Sequence, residues 1–220
     1  MYDGFTGEEE LEVPDSFVYS VISSAVKEKV FQLLVVSQIA KPGGLHLRQG
    51  VIIINNEKST DINGTLLIRD AFSYYKRIKY PTFSFLSFQD VYSWFVNNDL
   101  LLKVEPTSKL QIALNAFTFL FDNNLSSEIE LIYTCMALEA LYTKGNTNIT
   151  EQLNDKIQVY LGQVSDYKKS IKNMYDFRSR FLHGSLPIKP IDCDTSIWTV
   201  HDRGIGEATN LSKMILIATF

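Results

Sequence analysis

One arginine and one histidine, Arg178 and His183, carry the sharpest chemical possibility in this chain. They stand five residues apart in the run Tyr175-Asp176-Phe177-Arg178-Ser179-Arg180-Phe181-Leu182-His183-Gly184. A guanidinium offers planar paired donors to two phosphate oxygens, and an imidazole can give and take protons at cell pH. Five residues separate two side chains by about 140° around a helix, so along an unbroken helix they do not share a face. Gly184 directly after His183 marks a helix end, where a long arginine and a terminal histidine can converge on one polar cavity. The bland reading of His183 is a histidine that only meets the dipole of the helix C-terminus.

A carboxylate further back bears on the arginine. Leu131 to Tyr142 reads LIYTCMALEALY, apolar almost all round, as in a helix buried on every side, and Glu139 is its one charge. Arg178 is equally out of place, within a stripe of Tyr167, Ile171, Met174, Tyr175, Phe181 and Leu182. Two core-facing helices each holding one charge of opposite sign predict an ion pair between Glu139 and Arg178. That pair is either architecture or a device that aims the guanidinium, and the residues alone leave both open. Around it, Tyr167 to Pro190 carries Lys168, Lys169, Lys172, Arg178, Arg180 and Lys189 against Asp176, a local +5 in a chain of net charge −4. This is either a solvated helix face or a patch for a polyanion, with Tyr175 and Phe177 placed to stack on bases or to fill the core.

Composition sets the frame. The 220 residues are 45% apolar and 12% aromatic, which excludes a disordered chain, and the acidic net charge excludes a global nucleic-acid field. Two cysteines, Cys135 and Cys193, make no disulfide framework and fit no zinc spacing. Asp192-Cys193-Asp194, His46 and His201 read as loop and surface residues rather than metal ligands, and no cofactor is implied. The longest uncharged apolar stretches, Val30 to Ala40 and Leu110 to Phe121, fall short of a membrane span. With an acidic opening through Glu8-Glu9-Glu10 that no signal peptide has, the expectation is a reduced, cytoplasmic protein.

The elements that must position these residues follow from punctuation. Residues 1–14 read as a disordered acidic tail. Asp15-Ser16 starts a helix to Ala40, stopped by Lys41-Pro42-Gly43-Gly44. Val51–Ile54 and Thr65–Ile68 read as a strand pair, and Phe88 to Val96 as a short helix. From Pro106 onward the pattern is helical throughout. One helix runs from Thr107-Ser108 to Phe121, stopped by Asn123-Asn124, and a second from Ser126-Ser127 to about Lys144. A third is capped by Thr150 and runs to Leu161, and a fourth runs from Ser165-Asp166 to His183. After a Pro187/Pro190 loop a fifth begins near Asp202. The expected fold is mainly α: a small α/β region over 15–105, then an up-and-down helical bundle over 106–220.

The Arg-x4-His run, its Arg178-Ser179 and His183-Gly184 flanks, and the upstream Ala137-Leu138-Glu139-Ala140-Leu141-Tyr142 helix together resemble the HEPN superfamily, in its ApeA-like branch. The similarity spans roughly residues 105 to 220. It implies a helical bundle that pairs into a homodimer, with two Arg-x4-His motifs in one cleft. It also implies metal-independent endoribonuclease activity in toxin, anti-phage or stress-defence systems. Residue by residue, Arg178 and His183 become the catalytic pair, with Glu139, Ser179 and Arg180 in support and Lys168, Lys169, Lys172 and Tyr175 towards RNA. A cognate antitoxin or defence partner is implied as well. Ser185 stands where some members carry a tyrosine that an antitoxin modifies, so that mode of regulation is not expected. The alternative is a non-catalytic HEPN dimerisation or nucleotide-binding module with residues 15–105 as sensor.

Overall fold

A computed structural model describes residues 14–45, 47, 49–63, 67–82, 84–101, 104–122, 125–145, 147–162, 165–186 and 200–220. Among these are eight α-helices, one short 3-10 turn and one two-stranded antiparallel sheet. The helices are α1 (Asp15–Ala40), α2 (Leu67–Ile78), α3 (Phe88–Asn97), α4 (Lys109–Thr118), α5 (Ser127–Tyr142), α6 (Ile149–Leu161), α7 (Ser165–Leu182) and α8 (Val200–Thr219). The hairpin is β1 (Gln49–Ile54) with β2 (Glu57–Asn63). The expected acidic tail, the Asn123-Asn124 stop, the Pro187/Pro190 loop, Lys189 and the Asp192-Cys193-Asp194 triplet lie outside the described residues.

The chain is mainly helical, as its patterning predicts, and two local expectations are corrected. The second strand described lies ahead of the expected Thr65–Ile68, of which Thr65 and Leu66 lie outside the described residues. It is Glu57–Asn63, joined to β1 by Asn55 and Asn56, both at positive φ (53° and 65°). Two successive left-handed residues make the tight turn whose twist matches a hairpin, and asparagine tolerates that region. Leu67 and Ile68 instead open α2, whose apolar positions Ile68, Ala71, Phe72, Tyr75 and Ile78 recur at helical spacing. Acid at Asp70 and base at Lys76 and Arg77 suit the two ends of its dipole.

The site depends on α5. It packs against α4, α6, α7 and α8, which explains why its sequence has no polar face. Ser108 caps α4 by accepting from the Gln111 amide, so the expected start at Thr107-Ser108 holds. The third bundle helix begins one residue before Thr150, after Asn148 in the left-handed region. A single buried cluster takes Leu34, Val36, Ala71 and Phe95 from the front half and Leu114, Leu138, Met174 and Ile215 from the rest.

Candidate functional site

The fourth bundle helix, α7, turns Ile171, Met174 and Tyr175 into the core at spacings of three and four. Arg178 comes next on that face. Its Nη2 lies 2.9 Å from Glu139 Oε1 on α5, with the two side chains 22% and 19% exposed. The same Glu139 oxygen accepts a hydrogen bond from the Tyr175 hydroxyl. Burial, and then that contact with Glu139, push the Tyr175 phenol far above its ordinary range, so it stays a donor. The guanidinium also lies over the Tyr175 ring, 5.6 Å from its centroid. Three residues thus form one cluster, with Cys135 one turn below Glu139, its fully buried thiol pushed up by burial.

Glu139 holds only one corner of the guanidinium. A side-on bidentate pair uses Nε together with Nη2, whereas here the buried Nε has no hydrogen-bond partner. The arginine is fixed at one nitrogen and retains donor capacity.

His183 closes the helix. Gly184 at φ 66° and two back-bonds, Gly184 N–H to Phe181 O at 3.1 Å and Ser185 N–H to Arg180 O at 2.9 Å, form a Schellman cap. The histidine side chain is exposed, and so is half of Leu182 beside it. The apolar stripe expected to continue through Phe181 and Leu182 therefore runs out before the helix does.

Of the other predicted site residues, Lys168, Lys169 and Lys172 are exposed along α7. Arg180 reaches Asp176 at 3.9 Å in a partly exposed pair one turn apart, and Ser179 is half-buried. Tyr175 is not available to stack on a base: it is 5% exposed and its hydroxyl is committed to Glu139. Phe177 is also packed away. Its ring lies so close to Gly204 on α8 that a Cβ there would sit 3.0 Å from it. The aromatic part of the expected RNA face is core, and the basic part is surface.

A second charged cluster was missed by sequence reasoning. Lys213 on α8 and Glu130 on α5 approach to 2.8 Å with their side chains 2% and 3% exposed. The contact is an ion pair without hydrogen-bond alignment at the carboxylate oxygen. Burial lowers the lysine and raises the glutamate, each opposed by the charge of the other. The pair borders a cleft of about 300 Å³ that Asp70, Arg77, Arg203 and Glu207 also line. Arg178, His183 and Glu139 do not line it. The signal that could have found Lys213 is the one that found Arg178, a lone charge inside the apolar run from Leu211 to Ala218.

Among the described residues no three or more His, Cys, Asp or Glu side chains group as metal ligands, and no helix is long and apolar enough to cross a membrane. Comparison with family models, with curated proteins and with solved structures finds no match.

Proposed function

We propose that this chain is a HEPN-type, metal-independent endoribonuclease, a toxin or anti-phage effector acting in the cytoplasm as a homodimer. The observation that carries the reading is the Arg178 guanidinium, set on Glu139 at 2.9 Å by a single nitrogen, on the same helix as an exposed terminal His183. A phosphate needs planar donors held in place but not used up, and an arginine held at one corner meets that need.

In this reading His183 takes the proton from a ribose 2′-hydroxyl or gives one to the leaving 5′-oxygen. The histidine of a second copy supplies the other function. Arg178 stabilises the charge that develops on the scissile phosphate. The products carry a 2′,3′-cyclic phosphate, and DNA, which lacks the 2′-hydroxyl, resists. Lys168, Lys169 and Lys172 steer RNA towards α7 by charge rather than by stacking. Pairing of two α7 helices would cover the exposed Leu182 and bring two Arg/His sets into one cleft.

The second reading, a non-catalytic dimerisation or nucleotide-binding module, draws support from Tyr175. Its hydroxyl joins Glu139 and Arg178 in a partly buried polar cluster that ties α7 to α5 as architecture. RNA cleavage and growth-toxicity assays of wild type beside His183→Ala separate the two. Because His183 is exposed, the variant should keep its melting temperature while losing about 100-fold or more in cleavage. A variant that cuts RNA as well as wild type does refutes the assignment.

A further inference from the structure

The first half of α1 contradicts the second. Val35, Val36, Ile39 and Ala40 are all buried, at most 6% exposed. Phe17, Val18, Val21 and Ile22 stand eighteen residues earlier, about five whole turns, so they point the same way. Those four are 39% to 60% exposed. The core-facing stripe of α1 therefore continues past the body of the protein, and among the described residues it stays exposed. The other side of this arm is occupied. Tyr19 accepts a hydrogen bond from Asn55 of the hairpin at 3.0 Å, and Ser23 is buried. Contiguous apolar surface of this kind marks an interaction site.

The charges along the stripe say what fits. Residues 16 to 26 carry none. Asp15, Ile22 and Lys29 stand seven apart, about two turns each, along one line of the stripe. Turned antiparallel about Ile22, a second copy of the arm sets Asp15 against Lys29 at both ends and Val18 against Val26 between them. A parallel pair would set Asp15 on Asp15 and Lys29 on Lys29, which is repulsive. Among the described residues Lys29 bonds along its own helix, to Gln32 at 3.1 Å.

We propose that the α1 arm is an isologous interface, in which Val18, Ile22 and Val26, each 39% to 41% exposed, pack antiparallel in two copies of this chain about a two-fold axis at Ile22, with Asp15 and Lys29 closing each end. The contact is four turns long, at the weak end of specific interfaces, so it forms at micromolar rather than nanomolar concentration. It uses α1, whereas the pairing proposed for the ribonuclease uses α7, and it stands whether or not the chain cuts RNA.

The test is disulfide cross-linking of the full chain in a Cys193→Ser background. A mixture of Val18→Cys and Val26→Cys chains should cross-link about tenfold faster than either variant alone, because 18 faces 26 only across an antiparallel pair. Ile22→Glu, at an exposed position, should keep helix content and weaken this self-association about 100-fold in sedimentation. Equal cross-linking rates in mixed and single samples, or 18-to-18 linkage, would overturn the proposal. So would a self-association unmoved by Ile22→Glu, the result expected if copies meet only through α7.

Discussion

Removing the Glu139 carboxylate tests more of this molecule than any other single change. Glu139→Ala deletes the ion partner of Arg178 and the acceptor of the Tyr175 hydroxyl together. A fully buried pair broken on one side costs about 3–5 kcal/mol. Glu139 and Arg178 are near one-fifth exposed, so water recovers part of that, and about 1–3 kcal/mol is the expected loss from the charge. The stranded Tyr175 hydroxyl lies in a 5% exposed residue and adds about 1 kcal/mol or more. Glu139→Gln keeps an oxygen for Tyr175 and loses only the charge, so about half of the Ala penalty is expected. Urea denaturation gives both stabilities, and RNA cleavage per folded molecule gives function. If Glu139 aims the guanidinium, both variants lose activity beyond their loss of folded protein. A Gln variant that is folded and fully active leaves Glu139 as scaffold alone. An Ala variant as stable as wild type refutes the coupling of α5 to α7 through this carboxylate.

Two further changes have worked signs. Lys213→Met leaves Glu130 buried without its counter-charge and should cost about 3–5 kcal/mol at pH 7. The folded-state carboxyl then titrates above its unfolded value, so the native state holds the extra proton. Stability is lost as pH rises above about 4.5 and recovered as it falls towards that value. Urea midpoints at pH 5 and pH 7.5 should show the gap to wild type narrowing at the lower pH, and a constant gap refutes it. Adding Glu130→Met should restore most of the loss, since a matched apolar pair replaces a buried ionic one. Gly184→Ala should cost about 1 kcal/mol for backbone strain at φ 66° alone, because nothing lies within 4 Å of the added Cβ. Thermal melts check this, and a loss several times larger would mean that the Schellman turn carries packing.

The sequence was most readable where one rule acted alone. The run LIYTCMALEALY has no polar face, and α5 is accordingly surrounded by four helices. Glu139 and Arg178 broke their patterns with opposite signs, and they meet. Leu67 and Ile68 open a helix rather than end a strand because a short β-branched run and helical periodicity disagreed there, and the longer period of α2 prevailed. Tyr175 and Phe177 fit core and RNA face equally well as spacing. Only the third dimension shows Gly204 and Glu139 taking them inward. The exposed half of α1 was not legible at all, because its stripe is continuous with one that is buried.

The two ion pairs of α5 differ in what they can do, and the difference is exposure. Glu130 and Glu139 are nine residues apart, about two and a half turns, so they leave opposite sides of the helix. One reaches Lys213 on α8 and the other Arg178 on α7. The Lys213 pair borders a cleft but is only 2% and 3% exposed, so the lysine stays committed to its carboxylate. The Arg178 pair is about one-fifth exposed and uses one guanidinium nitrogen, so solvent reaches part of it. The Lys213 pair resists sliding of α5 along α8, since an axial shift separates two nearly buried charges. Because α7 packs on both α5 and α8, the register of those two helices bears on the height at which Glu139 meets Arg178. A nearly buried ion pair thus contributes to the position of the one that faces solvent.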